Sequence, residues 1–473
     1  MTLKYCLLLS LLSSCSFIPS KRFLAQSKAI PPCTKEMTSK ENRKKCQKKW
    51  TVMIYMDVKE DLKPYALKDL HEMTAKYSKQ LAATTNNRDL LVQLNIHDET
   101  HDKLYHLHQN QLKFQKSKDW KHFKDLDLGP FEKIIRQKKN TDNVFSFFDN
   151  QIKSYPSQHY MIIFWGHGKG WTHKDVHQST LLNSHELLEV VLQVHQKSLA
   201  STKKIDHIIF DSCYMQSLEL SLELSKYAQR LSASAQVQPY LGLPYRTFFF
   251  EMSKNYKRLK KKQDALEINN TSKVLPLLFK SSYSKLGLQA ADKTAKNTLT
   301  FSSLDLNYLE KHGADALNNF AQTLLDYYSS LDKTIQDKLQ ANINSLLEEK
   351  NVIFKTHLYS YELGTFLRNL FTEITNNNDY PRNIEFKNLK KQLLKLEIHS
   401  KKTVLNYVAG DAYKKYNGFR ALNFWLPRRH GEFDININKF LSSKLYLKNN
   451  KASSWHEMMN VIFKKELKDD VYF

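Results

Sequence analysis

Tyr160-Met-Ile-Ile-Phe-Trp165-Gly166-His167-Gly168 and, further along, Ile205-Asp-His-Ile-Ile-Phe210-Asp211-Ser212-Cys213 are apolar runs, each followed directly by residues able to do chemistry. Both runs are nearly unbroken and rich in β-branched and aromatic residues, the pattern of strands buried on both faces. Between them, Asn183 to Ala200 carries Leu187, Leu188, Val191, Leu192 and Val194 at helical spacing, and Asn183 with Glu186 makes a capping box. A strand, helix and strand of this length form a right-handed parallel crossover, so the two runs should lie side by side in one sheet. Upstream, Thr51 to Met56 and Asp89 to Ile96 read as further strands. The helix between them carries Leu62, Ala66, Leu70, Met73 and Tyr77, with Pro64 tolerated near its start. Lys103 to His108 reads as an edge hairpin and Phe145 to Ile152 as a short helix. The fold class expected for residues 50–250 is a three-layer α/β/α sandwich around a mostly parallel sheet.

The whole chain has 473 residues, 41% of them hydrophobic, which is enough for a large core and excludes a small disulfide scaffold. Residues 251–298 are hydrophilic and weakly periodic, and read as an insertion or linker. A smaller mixed α+β domain is expected over 299–473, with helices across Leu304 to Leu347 and Tyr361 to Phe371 and strands at Leu405 to Val408 and Phe419 to Leu426. With 72 Lys and Arg against 48 Asp and Glu the formal charge is +24. The lysines are scattered among polar stretches and no base-stacking or groove-reading motif accompanies them, so no nucleic-acid partner is expected.

At the amino terminus, Lys4 precedes a short apolar run, Tyr5 to Leu12, in the form of a secretory signal too short to span a bilayer. The run ends in Leu12-Ser13-Ser14-Cys15, which resembles a bacterial lipobox, with Cys15 as the acylated first residue of the mature chain. The expectation is an exported lipoprotein, periplasmic or on the cell surface, held to its membrane by lipid. Residues 1–15 are then the signal and 16–49 a lysine-rich tether. Cys33 and Cys46 can pair in an oxidising compartment, which leaves Cys213 as a lone thiol.

In an open parallel sheet the loops after neighbouring strands share one crevice, so His167 and Cys213 should face each other there. The residues after Cys213 read as a helix. A thiol at such an amino terminus, close to an imidazole, should have a lowered pKa. Attack by the thiolate on a peptide carbonyl gives an acyl-enzyme. His167 protonates the leaving amine and the backbone amides of Gly168 and Cys213 hold the oxyanion. Asp211 either caps that helix or offers a desolvated carboxylate to a basic substrate side chain.

Trp50-Thr-Val-Met-Ile-Tyr-Met-Asp57, Phe164-Trp-Gly-His-Gly-Lys-Gly-Trp171 and Asp206-His-Ile-Ile-Phe-Asp-Ser-Cys-Tyr-Met215 together resemble the clostripain family of cysteine peptidases, relatives of gingipains, legumains and caspases. The resemblance implies a caspase-like fold and endopeptidase activity, with Cys213 as nucleophile and His167 as its partner. It also implies that Asp211 lines the pocket that selects Arg or Lys. Members often cut themselves after a basic residue between the His and Cys segments, where Lys169, Lys174 and Lys197 are available and Lys174 is the expected site. The chain departs from the family between Ala233 and Tyr245: Leu243 stands where the family carries Trp, and Gln236 where it carries an acid.

No cofactor is expected. Some family members use calcium, but no acidic loop here has the spacing of a calcium site. Histidines at 97, 101, 106, 108, 173 and 177 cluster without the convergence that zinc requires. A monomer acting on protein or peptide substrates is expected. Two other readings stay open at this level: a catalytically silent binding lipoprotein on the same fold, and a basic surface protein that holds polyanions.

Overall fold

The computed structural model describes residues 47–74, 88–96, 101–106, 133–136, 141–168, 170, 182–258, 264–285, 297–348, 350–351, 353–355, 359–425, 447–448 and 451–462. Its centre is a sheet of nine strands: β1 (Lys48–Val58), β2 (Arg88–Ile96), β3 (His101–His106), β4 (Lys133–Arg136), β5 (Ser157–Trp165), β6 (His207–Asp211), β7 (Arg230–Ala233), β8 (Thr300–Asp305) and, after two short strands of another sheet, Val404–Ala409. In space the order runs from Val404–Ala409 through β8, β7, β6, β5, β1, β2 and β3 to β4. The five inner strands from β7 to β2 are parallel, and antiparallel strands finish both sides. The chain moves outward from β1 in one direction through β2 and in the other through β5. The crevice above β1 and β5 is therefore a topological switch point, where folds of this kind bind ligands.

Alternation along the strands explains the two covering layers. Met53 and Tyr55 of β1, Tyr160, Ile162 and Phe164 of β5 and Ile208 and Phe210 of β6 face one core. That core is filled by helices Thr141–Ser154, Ser184–Gln193, Leu218–Leu224 and Leu306–Ser329. Val52, Ile54 and Met56, Met161, Ile163 and Trp165, and Ile209 face the other, under helices Lys63–Thr74, Tyr245–Arg258 and Asp264–Lys285. All these strand residues are buried, which is why their sequence is apolar at every position rather than every second one. The expected crossover is present, with Asn183 accepting from the backbone N–H groups of His185 and Glu186 and the Glu186 carboxylate closing the capping box.

Two expectations about domains are corrected. Residues 264–285, within the stretch expected to be a hydrophilic linker, form a helix whose Leu275, Phe279 and Tyr283 are buried against the sheet; Phe279 stacks on Phe301 of β8 at 4.2 Å. Pro276 inside that helix and its many Asn, Ser and Thr residues obscure the helical period in the sequence. Nor does the chain from 299 onward form a separate smaller domain. β8 pairs with β7, Val404–Ala409 pairs with β8, and helix Leu306–Ser329 fills the core shared with β5 and β6. A further helix, Ile384–Thr403, buries Phe386, Leu389, Leu393 and Leu396 in that core.

Candidate active site

β5 and β6 are in parallel register with Trp165 opposite Asp211. His167 and Cys213 each lie two residues past this pair, so the register alone delivers them to the same level of the crevice. Gly166 N–H donates to the carbonyl of Asp211 at 3.3 Å and continues the ladder by one step. At Gly168 a Cβ would stand 2.1 Å from the Cys213 carbonyl oxygen and 2.8 Å from its nitrogen. The backbone after His167 thus rests directly on Cys213, and only glycine permits that approach.

Cys213 is partly exposed, and its Sγ accepts a hydrogen bond from the backbone N–H of Gln238 at 3.3 Å. The turn that presents it bends at Tyr214, whose φ of 62° lies in the left-handed region. No helix starts at the thiol. The helix begins at Leu218, with Ser217 as its cap accepting from Leu220 N–H, so its dipole is too distant to act on the sulfur. Burial, with the Asp211 charge adding to it, pushes the thiol above its ordinary range, while the Gln238 N–H partly offsets this. The sequence expectation of a lowered thiol pKa is therefore overturned.

His167 Nε2 lies 3.0 Å and 3.2 Å from the two carboxylate oxygens of Asp61. Asp61 belongs to the single turn Glu60–Leu62 that follows β1. Sequence reasoning missed it, since one acid among several after a strand gives no signal.

Asp211 is buried, on the sheet face opposite Phe210. Its oxygens accept from Leu243 N–H at 3.1 Å and 3.2 Å, from the Tyr245 hydroxyl at 2.8 Å and from the Gln238 side-chain amide. It does not cap the following helix. Burial raises its pKa to about 6, with those hydrogen bonds and Lys68 acting the other way. A second carboxylate, Asp69, reaches the same place from helix Lys63–Thr74. Its Oδ2 accepts from Trp165 Nε1 at 2.8 Å, and burial, with Asp211 and Glu72 adding, holds its pKa well above the usual range against the pull of Lys68. Asp69, Gln238 and Tyr245 were not foreseen: each is a single polar residue within an otherwise ordinary segment, and only the folded chain gathers them.

Cys15, Cys33, Cys46 and Lys174 lie outside the described residues, as do the side chains of the histidines at 97, 101, 106, 108, 173 and 177. Among the described residues no group of three His, Cys, Asp or Glu side chains could hold a metal ion.

Residues 54–467 match the model of the clostripain family, peptidase family C11. The structure is similar to that of a secreted C11 cysteine protease from Bacteroides thetaiotaomicron in complex with an irreversible peptide inhibitor. The TM-score is 0.53 and the identity 17%, over 84% of this chain and 99% of that one. It is also similar to an inactive zymogen of a C11 protease from Parabacteroides distasonis, with a TM-score of 0.52 and 16% identity over 87% of this chain and 98% of that one. No match is found among curated proteins. A caspase-like sheet with the His and Cys segments at adjacent strand ends, and a family match across most of its length, make this chain a member of the clostripain family and a cysteine endopeptidase.

Proposed function

We propose that this endopeptidase cleaves after Arg or Lys through a Cys213 and His167 dyad. The observation that carries the reading is the packing of the Gly168 backbone against Cys213, with Gln238 joining the thiol, through its backbone N–H, to the buried carboxylate of Asp211, through its side-chain amide. With burial keeping the thiol protonated at rest, His167 is needed to take its proton during attack. Asp61 on Nε2 leaves Nδ1 as the nitrogen that exchanges the proton with sulfur. The Sγ–carbon bond forms as the proton passes to His167, and the backbone N–H groups of Gly168 and Cys213 receive the oxyanion. His167 then protonates the departing amine, the peptide C–N bond breaks, and the acyl-enzyme is hydrolysed by water that His167 deprotonates. Asp211 attracts the basic side chain that precedes the scissile bond.

The chain is read further as an exported lipoprotein acylated at Cys15, with maturation by self-cleavage at Lys174. Two observations support this: the amino-terminal sequence pattern, and structural neighbours described as a secreted protease and as a zymogen. Reporter peptides ending in Arg, Lys, Leu and Glu, offered to the matured protein and to its Cys213→Ala variant, test the chemistry. Hydrolysis of the two basic reporters only, abolished in the variant, is expected; equal cleavage of the Leu reporter would refute the assigned pocket. Mass spectrometry of the mature chain tests the acyl group and the internal cut together.

A further inference from the structure

Beside Asp211 and Asp69, acceptors outnumber donors. Asp69 is 1% exposed, and its Oδ1 makes no hydrogen bond; the Lys68 ammonium is 3.6 Å away and is held by Glu72 at 2.7 Å. Gln238 is also buried. Its amide nitrogen is spent on Asp211, and its Oε1 has no partner. Gly242 separates the two acids: a Cβ there would stand 3.2 Å from Asp69 Oδ2 and 3.2 Å and 3.3 Å from the Asp211 oxygens, at a φ of +58°. Both carboxylates thus pack against residue 242, where any side chain would press on them. Acceptors buried without donors cost free energy, and a cationic donor arriving from outside removes that cost.

We propose that Asp69 is a second specificity-determining residue, which with Asp211 and Gln238 Oε1 forms an acceptor-rich socket for the cationic head of the substrate's Arg or Lys. The inference rests on the reading that Cys213 cleaves after a basic residue, and it adds a carboxylate from a different layer of the fold. A guanidinium or an ammonium is donor-only and supplies what the socket lacks. Neutral or acidic side chains would leave the acceptors unpaired, so discrimination comes from the penalty for the wrong occupant as much as from attraction for the right one.

The test uses the matured full chain with paired reporters, Arg against its neutral isostere citrulline, and measures alkylation of Cys213 by iodoacetamide in parallel. In Asp69→Asn the Arg-to-citrulline ratio of kcat/KM should fall roughly 10–100-fold, mainly through KM for the Arg reporter, with the alkylation rate unchanged. A ratio unchanged within about threefold would overturn the role of Asp69. A wild-type enzyme that is alkylated at Cys213 yet does not prefer Arg would instead overturn the underlying reading. If Asp69→Asn does not fold, Gly242→Ala decides, because its methyl group presses on both carboxylates. Selective loss of Arg and Lys cleavage with intact alkylation supports the socket, and unchanged preference overturns it. A preference for Arg that appears only with added calcium and disappears in chelator assigns the pair to a metal and also overturns the proposal.

Discussion

At the amino-terminal end of the central strands, the buried Lys48 ammonium meets the Asp89 carboxylate at 2.5 Å. On the neighbouring strands, Asp206 accepts from Tyr160 N–H at 2.9 Å and from the Gln229 amide at 3.1 Å, and lies 3.0 Å from His159 Nδ1. At the carboxyl end of the same strands, Asp211 and Asp69 lie together against Gly242, and the Lys68 ammonium stays 3.6 Å from Asp69 Oδ1. The fold can thus neutralise a buried carboxylate, and it does so where the charge only holds strands together. In the segment around Cys213, by contrast, Asp69 Oδ1 is left without a hydrogen bond. On the proposed reading, the contrast separates a charge that holds strands together from one kept for a substrate.

The largest effect that can break this contrast is in the thiol itself. Cys213→Ala should lower kcat/KM by roughly 10⁴-fold or more while the melting curve stays in place. Lys48→Met, at the opposite end, should do the reverse. It removes the ammonium from beside a buried carboxylate, and should cost about 3–5 kcal/mol in denaturant unfolding with kcat/KM per folded molecule unchanged. A change in Arg preference in that variant would show that the two ends are not independent. Gly168→Ala drives a methyl group into the Cys213 backbone, and should cost roughly 10²- to 10³-fold in kcat with little change in KM.

The acid pair also leaves a signature in stability against pH. Asp211 binds its proton more tightly folded, at about 6, than unfolded, so the folded state holds more protons between those two values. The stability this group contributes should therefore be fully present below about pH 4, fall by roughly 1–3 kcal/mol as pH rises to about 6, and lose no more above that. Asp69 acts in the same direction. Asp211→Asn should flatten this part of the profile, measured by urea midpoints across pH; an unchanged slope would assign it elsewhere. The smallest effect concerns Asp61, which is exposed beside His167: Asp61→Asn should lower kcat about two- to fivefold, less at high salt.

The parts of the molecule legible in the sequence are those where burial acts on consecutive residues. β1, β2, β5 and β6 are apolar at every position because both faces are covered, and the boxes after β5 and β6 follow from parallel register. The helix Ile384–Thr403 was not legible: Phe386, Leu389, Leu393 and Leu396 keep a helical period, but interleaved lysines mask it. The onset of the helix after Cys213 was misplaced because Tyr214, Met215 and Gln216 suit a helix locally, whereas the sharp turn at Tyr214 is set by tertiary contacts such as Tyr214 N–H to the Gln236 carbonyl. Asp61 and Asp69 belong to the site only through the packing of the segment after β1 over the ends of β1 and β5. No spacing rule links residue 69 to residue 211.

The crossover between β5 and β6 has a consequence for any cut made within it. β5 is wedged between β1 and β6, and helix Ser184–Gln193 lies against helix Thr141–Ser154. Severing the polypeptide between Gly168 and Asn183 would thus yield two pieces that stay annealed edge to edge, one carrying His167 and the other Cys213. Such a nicked molecule should elute as a single body under native conditions and split in two only in detergent.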